Sequence, residues 1–187
     1  MTVGVLGLQG AVREHVAHLG RLGVASRVVK RLEEFDGLDG LILPGGESTA
    51  MILLAERGIL DRLRALADEG LPMFGTCAGM ILLAKEAEGR AQTCIGAIDI
   101  TVSRNASGRQ VDSFETTLDV DGIGDDVPAV FIRAPYVTRL GEGVHAMARH
   151  DGFVVMAKEG SVLVASFHPE LTEDLRVHRY FIEELVK

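Results

Sequence analysis

Only two cysteines, Cys77 and Cys94, occur in 187 residues, too few for a disulfide framework and in keeping with a reducing cytosol. Basic residues are in deficit: 19 Lys and Arg stand against 27 Asp and Glu, for a formal net charge of -8. With no basic run either, the composition argues against a nucleic-acid partner, which needs a positive face for its phosphates. No apolar run approaches the ~18 residues needed to span a bilayer. The chain passes directly into Val3-Gly4-Val5-Leu6-Gly7-Leu8 with no basic segment ahead of it, so no secretory signal is expected and the cytoplasm is. Repeats, low-complexity segments and linkers are also missing. What remains is 47% hydrophobic and 25% charged, ordinary for a globular protein, and the length predicts one domain, residues 1–187, with a substantial core.

Thr2 to Leu8 predicts a buried strand, after which Val12, Val16, Leu19 and Leu22 recur at helical spacing. Ala25 to Val29 and Leu38 to Leu43 read as the next strands, with the solvated Glu33, Glu34 and Asp36 between them. The third strand runs into Pro44-Gly45-Gly46-Glu47-Ser48-Thr49, where two glycines allow close backbone approach to a ligand and Ser48 or Thr49 can cap a helix carrying Met51, Ile52 and Ala55. A generic strand-turn-helix junction is the other reading of that stretch. A helix with Leu60, Leu63 and Leu66 on one face leads to the strand before Cys77. From about Gly96 the texture becomes strand-rich, with runs over Ile98 to Val102, Ser113 to Val120, Val130 to Arg133, Val144 to His150, Val154 to Lys158 and Val162 to Phe167. Arg104 to Gln110 reads as a surface loop, and Leu175, His178, Phe181, Ile182 and Leu185 mark a closing helix. This order predicts a three-layer α/β fold of the flavodoxin-like kind. Its central sheet is mostly parallel and flanked by helices, with additional strands in the second half.

Met73-Phe74-Gly75-Thr76-Cys77-Ala78-Gly79-Met80 is the stretch that carries chemistry. A strand, a glycine-flanked bend bearing a thiol, and a helix match the geometry of a nucleophile elbow. The helix beginning near Ala78 would point its positive end at the sulfur, which matters because a free thiol with pKa ~8.5 is only a few per cent ionised at neutral pH. A buried structural cysteine is the alternative. The last strand delivers His168-Pro169-Glu170; if that segment stays extended, positions i and i+2 share a side, and Glu170 can orient the imidazole of His168. Gly46, Cys77 and His168 all follow predicted strands, so the fold would gather them at the carboxyl edge of the sheet. The amide of Ala78 and one from the Gly45-Gly46 turn are natural oxyanion donors. His15, His18 and His178 sit on helix patterns, and His145 and His150 in a strand-rich stretch, where surface or packing roles are expected; Cys94 lacks an elbow and reads as structural. Two cysteines without ligand spacing do not make a zinc site. Thiol-dependent acyl transfer follows, without the identity of the acyl group.

Pro44-Gly45-Gly46-Glu47-Ser48-Thr49, Gly75-Thr76-Cys77-Ala78-Gly79 and His168-Pro169-Glu170-Leu171 together resemble a class I, triad-type glutamine amidotransferase. More narrowly, Gly7-Leu8-Gln9-Gly10, Arg104-Asn105 with Gly108-Arg109-Gln110, Ser113-Phe114-Glu115 and Phe131-Ile132-Arg133-Ala134-Pro135 are similar to the glutaminase subunits of pyridoxal 5'-phosphate synthase. The resemblance implies hydrolysis of L-glutamine to glutamate and ammonia. The ammonia would pass to a synthase subunit that builds pyridoxal phosphate from ribose 5-phosphate and glyceraldehyde 3-phosphate. It also implies Cys77 as nucleophile, His168 as acid and base, and Glu170 as its orienting carboxylate. Gly46, Glu47, Ser48, Arg104, Ile132 and Arg133 would bind glutamine, the backbone of Gly46 and Ala78 would form the oxyanion hole, and no metal or other cofactor is called for. Ser107 departs from the family, which usually has an aromatic residue there. The amidotransferase subunit of imidazole glycerol phosphate synthase shares the triad, but the Arg-Asn-x-x-Gly-Arg-Gln and Phe-Ile-Arg-Ala-Pro stretches disfavour it. A non-catalytic binding protein on the same fold and a cysteine peptidase are the readings from other classes.

Overall fold

The computed structural model describes residues 1–7, 10–46, 58–88, 94–103 and 113–187. Its opening follows the hydrophobic pattern: β1 (Thr2–Leu6), α1 (Val12–Arg21), β2 (Ala25–Val29) and β3 (Gly40–Leu43). Next come α2 (Ile59–Asp68), β4 (Met73–Thr76) and α3 (Ala78–Leu83). The expected helix carrying Met51, Ile52 and Ala55 and the polar stretch Arg104 to Gln110, with Ser107, lie outside the described residues. The second half holds β5 (Ala84–Glu88), β6 (Ile98–Ser103), β7 (Phe114–Val120), β8 (Gly124–Phe131), β9 (Tyr136–Leu140), β10 (His145–His150), β11 (Phe153–Glu159) and β12 (Val162–Ala165). It closes with α4 (Arg176–Tyr180) and a π-helical turn, Phe181–Val186.

Among the described residues a ten-stranded sheet runs β2-β1-β3-β4-β12-β11-β9-β6-β5, with β10 paired to β11, and β7 and β8 form a separate hairpin. The β2-β1-β3-β4-β12 half is wholly parallel, while β9, β10 and β11 bring antiparallel pairs. Because side chains alternate across a strand, each central strand feeds two cores. Leu41, Leu43, Met73, Val162 and Val164 pack with Ile59, Leu63 and Leu66 of α2. Val3, Val5, Ile42, Phe74 and Leu163 pack on the other face with Leu19 of α1, Val177, Phe181 and the inward side chains of the β7–β8 hairpin. These are the three layers that the sequence pattern predicts.

Several boundaries differ for identifiable reasons. The strand expected over Val130 to Arg133 is the tail of β8, whose start is hidden in the sequence by Asp125, Asp126 and Pro128; only Val127, Ala129 and Phe131 alternate inward. Ile132 and Arg133 fall just past its end. β5 has the sequence Ala-Lys-Glu-Ala-Glu, which is helix-forming by propensity and is held as a strand by parallel pairing with β6. β9 is a further strand that the sequence pattern misses. The closing helical stripe is α4 joined to the π-helical turn, and β12 stops at Ala165, before Phe167.

α3 lies so close to β3 and β4 that a Cβ at Gly79 would sit 1.9 Å from the carbonyl oxygen of Leu43, and one at Gly75 would sit 2.6 Å from the carbonyl of Gly79. Gly20, in α1, has nothing within 4 Å of its would-be Cβ. Two alanine substitutions should therefore move stability in opposite directions. Urea denaturation should show Gly79→Ala destabilised by about 2 kcal/mol or more from forced overpacking, and Gly20→Ala stabilised by roughly 0.5–1 kcal/mol from helix propensity.

Candidate active site

Three adjacent parallel strands deliver the site. Leu43 of β3 pairs with Gly75 of β4, and Ala165 of β12 pairs with Thr76, so all three strands end at one edge. Gly45, Cys77 and His168 follow within a few residues. The Cys77 amide donates to the carbonyl of Ala165 at 2.8 Å, continuing the ladder one residue beyond β4 and fixing the bend. Cys77 has φ 48° and ψ -106°, a strained conformation for a residue with a Cβ, which costs on the order of 1–3 kcal/mol. The turn thereby lifts the thiol out of the sheet, half-buried rather than sealed in the core. Opposite it, a Cβ on Gly45 would meet His168 Cε1 at 2.8 Å and Cys77 Cβ at 3.2 Å. Glycine leaves room there that no other residue would.

His168 is held at its backbone by β8, donating its amide to the Val130 carbonyl at 2.8 Å. Its Nδ1–H donates to Glu170 Oε1 at 2.7 Å, so the remaining nitrogen, Nε2, is the one left to exchange a proton with Cys77, which meets the same Gly45 turn as the ring. The route to this contact is not the extended segment expected: Pro169–Leu171 is a 3-10 turn. The turn folds the carboxylate back onto the ring, giving the same proximity by another geometry. Burial pulls the imidazole pKa down, but the hydrogen bonds with Cys77 and Glu170 and their charges outweigh it, and the pKa is raised to about 10. A cationic ring beside the sulfur supplies counter-charge for a thiolate. α3 contributes less than the sequence suggests, since it is only six residues long. The Ile132 carbonyl oxygen lies 3.9 Å from Cys77 Sγ on the other side, where it can accept from a thiol and would repel a thiolate.

Behind Glu170 lies a cluster that the sequence reading does not find. His15, His18 and His178, expected only at the surface or in packing roles, are 0%, 3% and 0% exposed. His15 Nε2 lies 3.6 Å from Glu170 Oε1 and 3.3 Å from Thr76 Oγ1. His15 Nδ1 is 2.8 Å from His178 Nε2, His178 Nδ1 is 3.1 Å from His18 Nδ1, and His18 Nε2 is 3.0 Å from the Thr172 carbonyl oxygen. Burial, followed by the neighbouring imidazoles, pushes the His15 pKa well below its ordinary value; burial and then His18 bring His178 down to about 3. The one signal in the sequence is the i, i+3 spacing of His15 and His18, which places both on one face of α1. Nothing local shows that α4 will supply the third ring.

Of the other residues singled out, Ala78 is buried as the first residue of α3, and Gly46 is exposed beside Gly45. Ile132, 40% exposed, and Arg133, with φ 45°, follow the end of β8, and the Ile132 carbonyl is the group near the sulfur. Glu47, Ser48 and Arg104 lie outside the described residues. Cys94, a structural thiol, is 3.3 Å from the Ile81 carbonyl, and burial, then Glu86, raises its pKa. Among the described residues no group of His, Cys, Asp and Glu could hold a metal ion, and no helix is long and apolar enough to cross a membrane.

Residues 5–187 match the model of the SNO glutamine amidotransferase family. Pyridoxal 5'-phosphate synthase subunit PdxT of Bacillus cereus (strain B4264) is 54% identical over 182 residues, 97% of this chain and 93% of that protein. PdxT of Thermotoga petrophila is 54% identical over 185 residues, 98% of each. A crystal structure of a glutamine amidotransferase superposes with a TM-score of 0.91 at 52% identity, covering 98% of both chains. The PurLQS structure from Thermotoga maritima shares the fold, with a TM-score of 0.75 at 17% identity over 98% of both chains.

The buried imidazoles give stability a defined pH dependence. For His15 and His178 the folded pKa lies below the unfolded 6.5, so the unfolded chain binds more protons on acidification and their contribution, full above 6.5, is lost as pH falls towards about 3 for His178. For His168 the folded pKa is raised, so its contribution is full below 6.5 and is lost as pH rises through about 10. Thermal melting followed by circular dichroism should show Tm falling at both ends; a Tm that stays flat from neutral pH to well below 6.5 would contradict the neutral, buried state of the cluster.

Proposed function

Because the chain belongs to the SNO glutamine amidotransferase family, we propose that it is the glutaminase subunit of a pyridoxal 5'-phosphate synthase. It hydrolyses L-glutamine to L-glutamate and ammonia within one amidotransferase domain and supplies the ammonia for pyridoxal phosphate synthesis. One observation carries the assignment of roles: Gly45, Cys77 and His168 meet at one strand edge, with Glu170 bound to the far side of the same imidazole at 2.7 Å. Two free cysteines and the lack of a membrane-crossing helix among the described residues support a cytoplasmic setting.

Cys77 thiolate attacks the side-chain amide carbon of glutamine, and the carbonyl oxygen becomes an oxyanion held by the backbone amides of Ala78 and Gly46. His168, cationic and oriented by Glu170, protonates the departing nitrogen, which leaves as ammonia and a γ-glutamyl thioester remains on Cys77. The now neutral imidazole takes a proton from water, hydroxide adds to the thioester, and collapse releases glutamate and the thiolate. Arg133 and Arg104 suit the substrate α-carboxylate as guanidinium donors, and the family resemblance assigns Gly46, Glu47, Ser48 and Ile132 to the rest of glutamine binding. Ammonia passes to a synthase subunit that docks on this chain and joins it to ribose 5-phosphate and glyceraldehyde 3-phosphate.

Glutamate release assayed with the synthase present should fall by more than about 10³-fold in Cys77→Ala while circular dichroism and Tm stay close to those of the wild type; full activity in that variant removes Cys77 from the role. The Ile132 carbonyl at the sulfur supports a resting state in the isolated subunit. Adding synthase should therefore raise glutamine turnover, on the order of 10²-fold if docking completes one oxyanion donor. Equal turnover with and without synthase would dispose of partner-dependent activation.

A further inference from the structure

The triad leaves unexplained why three imidazoles are buried behind it. In the uncharged chain every hydrogen-bond direction follows from one end. The Thr172 carbonyl can only accept, so His18 Nε2–H donates to it at 3.0 Å, which leaves His18 Nδ1 as an acceptor. His178 Nδ1–H then donates to His18 at 3.1 Å, and His178 Nε2 must accept from His15 Nδ1–H at 2.8 Å. His15 Nε2 is thereby left with a lone pair, which can accept from Thr76 Oγ1–H at 3.3 Å. That lone pair, rather than a proton, faces Glu170 Oε1 at 3.6 Å. Resting on the reading of Cys77, His168 and Glu170 as the glutamine-hydrolysing triad, we propose that His18, His178 and His15 form a directional imidazole chain, anchored at the Thr172 carbonyl, that denies Glu170 a competing proton donor and commits its carboxylate to His168. His15 is thus a positioning residue for glutamine hydrolysis, and His178 and His18 set its tautomer.

The surroundings agree. The titratable side chains against the chain are Glu170 and His168 from the turn after β12, with the Cys77 thiol beyond His168; Thr76 comes from β4 and Phe74 closes the apolar side, its ring edge-on to His15 and His178. The ion pairs Arg21–Glu173 at 2.8 Å and Arg176–Asp174 at 2.7 Å hold the outer ends of the same elements. Among the described residues Glu170 Oε2 has no hydrogen-bond partner, so the charge of this buried carboxylate is met at Oε1 by His168. A proton added at His18 Nδ1 would reverse both internal bonds and turn an Nε2–H of His15 onto Glu170. The chain therefore couples His18, one turn along α1 from His15, to the strength of the Glu170–His168 bond.

Two measurements test this on the full chain in complex with synthase. First, ¹⁵N NMR of labelled histidines in the wild type at neutral pH should find His15 and His178 protonated on Nδ1 and His18 on Nε2; His15 carrying its proton on Nε2, or carrying two, overturns the proposal whether or not any variant folds. Second, His178→Leu removes both the donor and the acceptor at the middle of the chain. It should shift the alkaline limb of the kcat/KM profile for glutamine down by about one pH unit, as expected when a hydrogen-bonded charge partner is weakened. His178→Gln, whose amide both donates and accepts, should recover at least half of that shift. A folded His178→Leu protein with an unmoved profile overturns the proposal. An active Cys77→Ala protein run alongside would instead overturn the triad, so the two failures are told apart.

Discussion

The register of β4 between β3 and β12 is the constraint on which the rest depends. Parallel strands whose carboxyl ends align put the residues after them side by side, and here those residues are Gly45, Cys77 and His168. The hydrogen bond from the Cys77 amide to Ala165 locks the bend to the strand that carries the histidine. Sulfur and imidazole are therefore positioned by the same backbone ladder rather than by flexible loops. A slip of β12 by one residue would send every side chain of that strand to the opposite face and part the pair, while leaving the composition of both cores nearly unchanged.

Close approach around this register is achieved by leaving side chains out. Gly75 and Gly79 let α3 settle onto β3 and β4, and Gly45 clears the space above the sulfur. Gly10, with φ 89°, has its would-be Cβ 1.6 Å from the Gly45 carbonyl oxygen, so the turn after β1 backs directly onto the turn after β3. The strained backbone of Cys77 persists because the bond to Ala165 and the close packing at Gly75 and Gly79 over-determine the turn.

Much of this was legible in the sequence. Ala25–Val29 could be bounded as a strand and another strand placed just before Cys77, and the Gly-x-Cys-x-Gly bend and the His-Pro-Glu spacing pointed to the thiol and its partners, because each is a local pattern with a local cause. Elements stabilised by distant partners were not legible. No element is read over β5, whose residues favour helix by propensity and which is a strand only through its pairing with β6, and β8 starts among two aspartates and runs through a proline. Glu170 reaches His168 through a 3-10 turn that Pro169 initiates, where spacing alone suggested an extended segment. The imidazole cluster was the least visible, since two of its members come from α1 and the third from α4, 160 residues away from His18. On either helix alone, a histidine at a core-facing position looks like filler.

The two sulfurs of this chain differ in kind. Both are half-buried and each lies against a backbone carbonyl, but Cys77 stands next to the His168 imidazole, whereas burial and then Glu86 raise the pKa of Cys94. An electrophilic reagent supplied in small excess therefore meets one reactive thiol per chain, and the extent of labelling becomes a direct census of intact centres in any preparation.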